Sequence, residues 1–260
     1  MLSKKDRQGL AIIAVSVAVV AALIALVSVR SGQVRAYDHE TLCPTDRPVP
    51  HTVILVDKTD SFSPSQQAYL RLTIERIRDR MVRFERLSIF VMDKDGVGAP
   101  LFSLCNPGTR ADANEFYENP EMIQARFRER FGAPLEALLK ELLLASTAPR
   151  SPIFEAIRDV ALQTELARNK EKKHLYVFSD LLQHTQEFSQ YKGNSTFEQF
   201  HKTRSDYAAM VMAPLNGVEV KVIYLRRPQF AKSQTMAHIH FWETYFHTVG
   251  ATLVEVEPIP

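Results

Sequence analysis

The sequence predicts an α/β protein with a doubly wound, mostly parallel six-stranded sheet, helices on both faces, and one preceding N-terminal transmembrane helix. Short apolar runs alternate with segments of helical period, which is typical of a sheet covered by helices. Residues 52–56 form an apolar, β-branched run with almost no polar alternation. Such a run is typical of a strand that is buried on both faces of a parallel sheet.

The composition is that of a folded protein without an electrostatic footprint for nucleic acid. Of 260 residues, 45% are hydrophobic and 24% are charged, so a sizeable core can be buried. Lysine and arginine number 32 against 30 acidic residues, which gives a net charge of +2. A nucleic-acid-binding domain usually has a strongly basic surface, so we expect no nucleic-acid partner.

The N-terminal region predicts a membrane anchor. Residues 10–29 carry no charge and, as a helix, could cross the roughly 30 Å hydrocarbon core. The basic residues before this run favour a cytoplasmic N-terminus and an extracytoplasmic main domain, which would be periplasmic in a Gram-negative cell. A cleavable signal peptide is the alternative, but its apolar core is usually shorter. The predicted division is an N-terminus at 1–9, a transmembrane helix at 10–29, a linker at 30–51 and an α/β domain at 52–260.

The remaining elements follow from apolar periodicity and from turn residues. Strands are predicted at 52–56, 87–93, 100–104, 174–179, 218–225 and 251–256. Helices are predicted at 64–84, 120–131, 134–146, 153–164, 197–212 and 235–249.

Oxygen-bearing side chains follow the first strand, where open α/β sheets bind their ligands. Asp57, Thr59 and Ser61 alternate along a short loop that ends at Ser63 and Pro64, a helix-start signal. Because these three residues occupy every second position of the loop, their carboxylate and two hydroxyls can converge on one point. Hard oxygen ligands of this kind favour Mg²⁺ or a similar hard cation such as Mn²⁺.

Three stretches in chain order resemble the metal-site elements of von Willebrand factor type A (vWA) domains. Asp57-x-Thr59-x-Ser61 is similar to the first element of the family's metal-ion-dependent adhesion site (MIDAS). Ser151, which precedes a proline and a helix, resembles the second element. Asp180, at the tip of the fourth strand, resembles the third. The resemblance covers residues 52–260. Together with the predicted anchor, which lies outside it, the resemblance indicates a membrane-anchored protein of bacterial type.

Ser151 and Asp180 each also have a plain structural interpretation. Ser151 could serve only as a helix N-cap, and Asp180 only as a turn residue. The family's usual glycines are replaced here, since Pro149 and Arg150 precede Ser151 and Leu181 follows Asp180.

The resemblance implies a non-catalytic module that binds a partner protein through a divalent cation, Mg²⁺ or Mn²⁺. One coordination position would stay open for a carboxylate of the partner. The implied metal ligands are Asp57, Thr59, Ser61, Ser151 and Asp180. In a vWA-like sheet the third strand is antiparallel, which would bring Cys43 close to Cys105 and allow a disulfide. The alternative is two unrelated buried thiols.

Two other functions stay open for the same predicted site, where the loops after the first and fourth strands would meet. One is a metal-dependent hydrolase that uses Asp57 and Asp180, and the other is a vWA-like scaffold with a degenerate metal site. The sequence lacks a nucleotide-binding P-loop and a serine-hydrolase elbow. An Asp-x-Asp phosphatase would need an aspartate where Thr59 stands. His238 and His240 lie two apart on a predicted helix, so they point to different faces and predict no zinc pair.

Overall fold

The structure, a computed structural model, describes residues 4–31, 37–114, 118–144, 147–164, 166–192 and 195–260. Its strands are β1 (His51–Asp57), β2 (Arg86–Asp93), β3 (Gly96–Val97), β4 (Phe102–Cys105), β5 (Lys173–Ser179), β6 (Glu219–Leu225) and β7 (Thr252–Ile259). Its α-helices are α1 (Lys4–Ser31), α2 (Pro64–Arg80), α3 (Pro120–Arg126), α4 (Ala133–Leu142), α5 (Ile153–Gln163), α6 (Phe197–Thr203), α7 (Ser205–Met210) and α8 (Met236–Thr248). A π-helical segment, Phe127–Gly132, joins α3 to α4.

The strands form one mixed sheet in the order β3-β2-β1-β5-β6-β7, with β4 also paired to β2. The pairs β1–β2, β1–β5, β5–β6 and β6–β7 are parallel, whereas β3 and β4 run antiparallel to β2. The predicted mostly parallel α/β sheet is therefore confirmed. The predicted strand number is wrong, because the described residues form a sheet of seven strands rather than six. The additional β3 is a two-residue hairpin arm, too short to leave an apolar pattern in the sequence.

The strand order brings the predicted site loops to one edge of the sheet. β1 pairs with β5 in parallel, and Val56 lies opposite Phe178 in the register. Parallel neighbours end at the same edge, so the residues that follow β1 and β5 are neighbours in space. This is the switch point where the strand order reverses direction.

Two apolar layers cover the two faces of the sheet. β1 contributes side chains to both layers. Val53 and Leu55 belong to one core cluster, and Ile54 and Val56 belong to the other. Helices α5 and α8 pack on the first face, and α2 and α4 pack on the second. All seven residues of β1 are buried, as expected of a central parallel strand.

The prediction of a single-pass membrane protein is wrong. Among the described residues, no helix is both long enough and apolar enough to span a bilayer. The membrane contact through residues 10–29, the cytoplasmic N-terminus and the extracytoplasmic domain all depended on that span.

The described part of the predicted linker packs against the domain. Cys43 forms a disulfide with Cys105 at the end of β4, with the two Cα atoms 4.9 Å apart. The Cys105 amide also donates to the Thr41 carbonyl at 2.8 Å. Residues 1–3, residues 32–36 of the linker and the predicted helix end at 146 lie outside the described residues.

Candidate metal site

The loop that follows β1 is fixed at both ends. Asp57 ends a fully buried strand, and α2 begins directly after Ser63. The Ser63 hydroxyl accepts a hydrogen bond from the Gln66 amide at 3.2 Å, and the Gln66 side chain accepts one from the Ser63 amide at 3.1 Å. This capping box and Pro64 at the first helical position define where α2 begins.

Asp57 accepts three hydrogen bonds although it is buried. Its Oδ1 accepts from the Thr59 amide at 2.9 Å and from the Thr59 hydroxyl at 2.7 Å. Its Oδ2 accepts from the Ser179 hydroxyl at 2.6 Å. The Thr59 hydroxyl lies 3.2 Å from the Ser151 hydroxyl. The structure therefore brings Asp57, Thr59 and Ser151 into one buried cluster of oxygen atoms.

Ser151 is positioned by backbone pairing and does not cap α5. Its amide and carbonyl exchange hydrogen bonds of 2.9 Å with those of His184, which forms an isolated antiparallel bridge. The residue directly before α5 is Pro152, and it makes no side-chain cap. The interpretation of Ser151 as only a helix N-cap is therefore wrong, because Pro152 intervenes and its hydroxyl lies beside Thr59.

Asp180 lies at the tip of β5 and is buried beside Asp57. Its Oδ1 accepts from the Leu182 amide at 2.8 Å, and its Oδ2 lies 3.5 Å from Nε of Arg227. Burial raises the pKa of Asp180 to about 8, and the nearby Asp57 carboxylate raises it too. Burial also raises the pKa of Asp57, against hydrogen bonds from Ser179 and Thr59 that lower it. Both buried carboxyls therefore resist ionisation, which a nearby positive charge would favour.

Ser61 differs from the other four predicted ligands because it is exposed. Its backbone carbonyl accepts a hydrogen bond of 2.6 Å from Nη1 of Arg227. The backbone at Ser61 is thus tied to the residue that also faces Asp180.

The backbone after Asp180 is left-handed although the residue there is a leucine. Leu181 has φ 56 and is buried. Its carbonyl accepts from the indole N–H of Trp242 at 2.9 Å, and it lies 3.0 Å from Nε2 of His238. Glycine usually occupies such a conformation because it has no Cβ. The loop therefore keeps a glycine-like path without glycine, held by two side chains of α8.

Three buried glutamines hold the same loop from behind. Gln183 and Gln190 are linked by two hydrogen bonds of 3.0 Å, one through the Gln190 side chain and one through the Gln183 carbonyl. The Gln234 side chain donates to the Asp180 carbonyl at 3.2 Å. The Asp180 loop is thus fixed by amide hydrogen bonds.

A cavity of about 360 Å³ opens beside the Thr59 and Ser151 hydroxyls. Its wall combines aromatic rings with groups of both charges. The Tyr191 ring packs edge-on against Phe230 with centroids 4.6 Å apart. The lining residues are Thr59, Asp60, Ala148, Pro149, Arg150, Ser151, His184, Tyr191 and Phe230. The oxygen cluster is therefore next to a space that can receive a ligand.

The donor chemistry fits a hard divalent cation. Within the described ranges, no group of three or more His, Cys, Asp or Glu side chains could hold a metal ion. The cluster instead combines two carboxylates with hydroxyls. Such oxygen sets suit Mg²⁺ and Mn²⁺, whereas protein zinc sites usually include histidine or cysteine.

Sequence reasoning did not select several residues that shape this cluster. Ser179, which bonds Asp57, precedes Asp180 directly, so the Ser-Asp pair at a strand end was an available signal. Arg227 follows β6, the next strand along the same edge of the sheet, and that position was its only signal. Gln234 is distant in sequence from the loop that it binds, and no local pattern indicates it.

Comparisons with known proteins identify no family for this chain. No family model matches, and no curated protein matches. An aerotolerance-related membrane protein from Bacteroides fragilis is 14% identical, with 67% of this chain and 66% of that chain covered and a TM-score of 0.35. BatB from Bacteroides thetaiotaomicron is 16% identical, with 69% and 68% covered and a TM-score of 0.35.

A third solved structure is proximal thread matrix protein 1 from the mussel byssus, with a zinc-occupied MIDAS motif. It is 9% identical, with 81% of this chain and 42% of that chain covered and a TM-score of 0.37. The chain spans about two thirds of the two bacterial structures and less than half of this one.

Proposed function

We propose that this chain is a vWA-like protein-binding module that holds Mg²⁺ or Mn²⁺ and recognises a partner protein through a carboxylate. The observation that supports this proposal best is the buried contact among the Asp57 carboxylate, the Thr59 hydroxyl and the Ser151 hydroxyl, beside Asp180. Hydroxyls and carboxylates converge there from three separate loops at the switch point of the sheet. Open α/β sheets bind their ligands at this place.

Each predicted ligand has a distinct role in the proposal. Asp57 and Asp180 provide the negative charge that attracts the ion, and Thr59 and Ser151 provide neutral oxygen atoms. Ser61 lies on the exposed side of the same loop and would approach from solvent. When bound, the ion would offer an open coordination position to an acidic side chain of the partner.

The cavity beside the cluster would receive the partner residues that flank this acidic side chain. Tyr191 and Phe230 offer an aromatic wall, and half-exposed Arg150 offers a cation at the rim. Aromatic residues and arginine are common among residues that dominate binding energy at protein interfaces. The expected partner is a protein segment that carries a carboxylate next to an apolar residue.

We also propose that binding is the whole activity, with no bond broken. The competing hypothesis is a metal-dependent hydrolase in the same crevice. Metal-dependent turnover of a phosphate ester or a peptide by the purified chain, abolished by Asp57→Asn, would support the hydrolase and contradict our proposal.

Calorimetric titration with Mg²⁺ and Mn²⁺ tests the metal site directly. Asp57→Asn keeps the shape of the side chain but removes its charge, so we expect at least about a tenfold loss of metal affinity. Asp79→Asn is the matched control, because Asp79 is an exposed carboxylate on α2 that pairs with the neighbouring Arg78. Wild-type protein that binds neither ion would overturn the metal-dependent proposal and leave a vWA-like scaffold with a degenerate site.

Partner capture gives the second measurement. Protein immobilised in Mg²⁺ should retain a partner that is released by chelator and is absent from the Asp57→Asn column. A partner that binds both columns equally, with and without chelator, would mean that recognition does not involve this site.

A further inference from the structure

Arg227 places a permanent positive charge against the candidate metal site. Its side chain is only 9% exposed, and Nε lies 3.5 Å from Oδ2 of Asp180. Nη1 donates to the Ser61 carbonyl at 2.6 Å and to the Gln66 side chain at 3.3 Å. Its amide donates to the Gln234 side chain at 2.6 Å. One guanidinium therefore contacts the loop after β1, the first turn of α2 and the tip of β5.

Ordinary hydrogen bonding does not fully account for this position. The Nε atom is buried and has no hydrogen-bond acceptor among the residues that the structure describes. A buried donor without an acceptor costs free energy, and such groups are uncommon in folded proteins. The ion pair with Asp180 offsets part of the free-energy cost of burying Nε. Electrostatic attraction therefore helps to hold the Arg227 side chain in place.

The charges of the buried groups do not balance when a divalent ion is added. Asp57 and Asp180 together contribute two negative charges once both are ionised, as metal binding requires. Arg227 contributes one positive charge, as arginine side chains do in proteins. A divalent ion would leave the buried site with one positive charge in excess. Asp60 is only half-buried, so solvent screens its charge more effectively.

We propose that Arg227 determines the ligand class of this site: it weakens binding of the ion alone and makes an anionic ligand necessary for tight binding. This inference depends on the proposed metal-binding function. Without Arg227 the two aspartates alone would balance the ion, and water would suffice as the remaining ligand. With Arg227 present, one carboxylate of the partner restores neutrality. The residue thus couples ion binding to partner binding.

The coupling can be measured with Mg²⁺ as the ion and acetate as the anionic probe. Mg²⁺ affinity is measured by calorimetry at one fixed pH, in buffers of different ionisation enthalpy so that proton release is accounted for. Acetate is compared with chloride at equal ionic strength. Wild-type protein should bind Mg²⁺ several-fold more tightly in acetate, because coupling between two ligands is reciprocal. Arg227→Gln should bind Mg²⁺ at least about tenfold more tightly than wild type in chloride and should lose the acetate effect.

Two further variants separate charge from packing. Arg227→Lys keeps the charge and should retain the wild-type acetate effect. Arg226→Gln removes the neighbouring cation, which lies over the Tyr224 ring with its guanidinium carbon 5.9 Å from the ring centroid, and should behave as wild type. Equal effects of Arg226→Gln and Arg227→Gln would mean that general surface charge, and not the buried guanidinium, sets the affinity.

The outcomes distinguish this inference from the proposed function. Absence of Mg²⁺ binding in every form of the protein would overturn both. Mg²⁺ binding by wild type that is equally tight in acetate and chloride would overturn only the role of Arg227, and this measurement needs no variant. It therefore decides the question even if Arg227→Gln does not fold.

Discussion

Leu181 shows how a single residue can hold a demanding backbone conformation. A left-handed leucine is disfavoured because its Cβ approaches the following carbonyl. Here the Leu181 side chain is buried, and its carbonyl is bonded to Trp242. Burial and hydrogen bonding offset the local strain, so the loop after Asp180 does not require the glycine that the vWA resemblance leads one to expect.

Substitutions at Leu181 should therefore reverse the usual order of stability, in which an alanine variant is more stable than a glycine variant. Leu181→Ala loses buried area and keeps the strained φ, whereas Leu181→Gly loses a similar area but relieves the strain. We expect the glycine variant to be roughly 1 kcal/mol more stable than the alanine variant in urea unfolding. At ordinary helix or strand positions, by contrast, a glycine variant is less stable than an alanine variant. An alanine variant as stable as the glycine variant, or more so, would show that Leu181 is not strained.

At the scale of elements, the sequence predicted most strands and helices but not every pairing. The buried run of β1 and the capping box of α2 left local patterns, and both elements lie where those patterns placed them. β3 left none, because two residues in a hairpin have no periodicity. The predicted helix at 197–212 is divided into α6 and α7 at Arg204, whose φ of −132 is not helical. Hydrophobic spacing alone does not reveal such a break.

The disulfide between Cys43 and Cys105 should stabilise the fold without affecting the proposed metal site. Cys105 pairs in register with Arg86, the first residue of β2, at the sheet edge opposite the end of β1 that carries Asp57. The bridge joins residues separated by 62 positions, which predicts about 2–4 kcal/mol of stabilisation, mainly through the unfolded chain. The double variant Cys43→Ser, Cys105→Ser should unfold at correspondingly lower denaturant concentration.

Mg²⁺ titration of the same double variant is the second part of this test, and its affinity should equal that of wild type. Reduced wild-type protein is the control for the serine substitutions themselves. A loss of Mg²⁺ affinity in the folded double variant would mean that the two edges of the sheet are coupled.

For the whole molecule, the site charges predict how stability depends on pH. The pKa of Asp180 is raised to about 8 in the folded protein from an ordinary value of 3.8. Between these values the unfolded chain is ionised and the folded chain holds a proton, so stability falls as pH rises. Burial lowers the pKa of His238 to about 4 and that of His51 to about 3, which opposes this trend below about pH 6.5.

The window from about pH 6.5 to 8 therefore separates the buried carboxyl pair, Asp57 and Asp180, from the two histidines. In chelator, we expect wild-type stability to fall by roughly 1–2 kcal/mol across this window in urea unfolding. Asp180→Asn should make the profile shallower, since an amide does not titrate and the remaining Asp57 loses a neighbouring carboxyl. Mg²⁺ affinity of the wild type should rise with pH over the same range, because the ion displaces a proton. A wild-type profile that is flat in chelator would show that Asp180 titrates normally.

The candidate site is predictable from sequence only where its residues belong to local motifs. Asp57 and Thr59 are close in the chain, and Ser151 and Asp180 occur beside element boundaries that the sequence marks. Arg227 has no such marker, since its partner Asp180 lies on another strand. Long-range neighbours of this kind depend on strand order, which the alternation of elements suggests but does not determine. The charge of the site was therefore the property least accessible from sequence.

The glutamine hydrogen bonds behind Asp180 have a kinetic consequence. Gln183, Gln190 and Gln234 hold the loop before any ligand arrives, so binding should not need to order it. A preformed site avoids part of the entropy loss of association. Association rates should then be similar for good and poor carboxylate ligands, and the differences in affinity should lie mainly in how slowly each ligand dissociates.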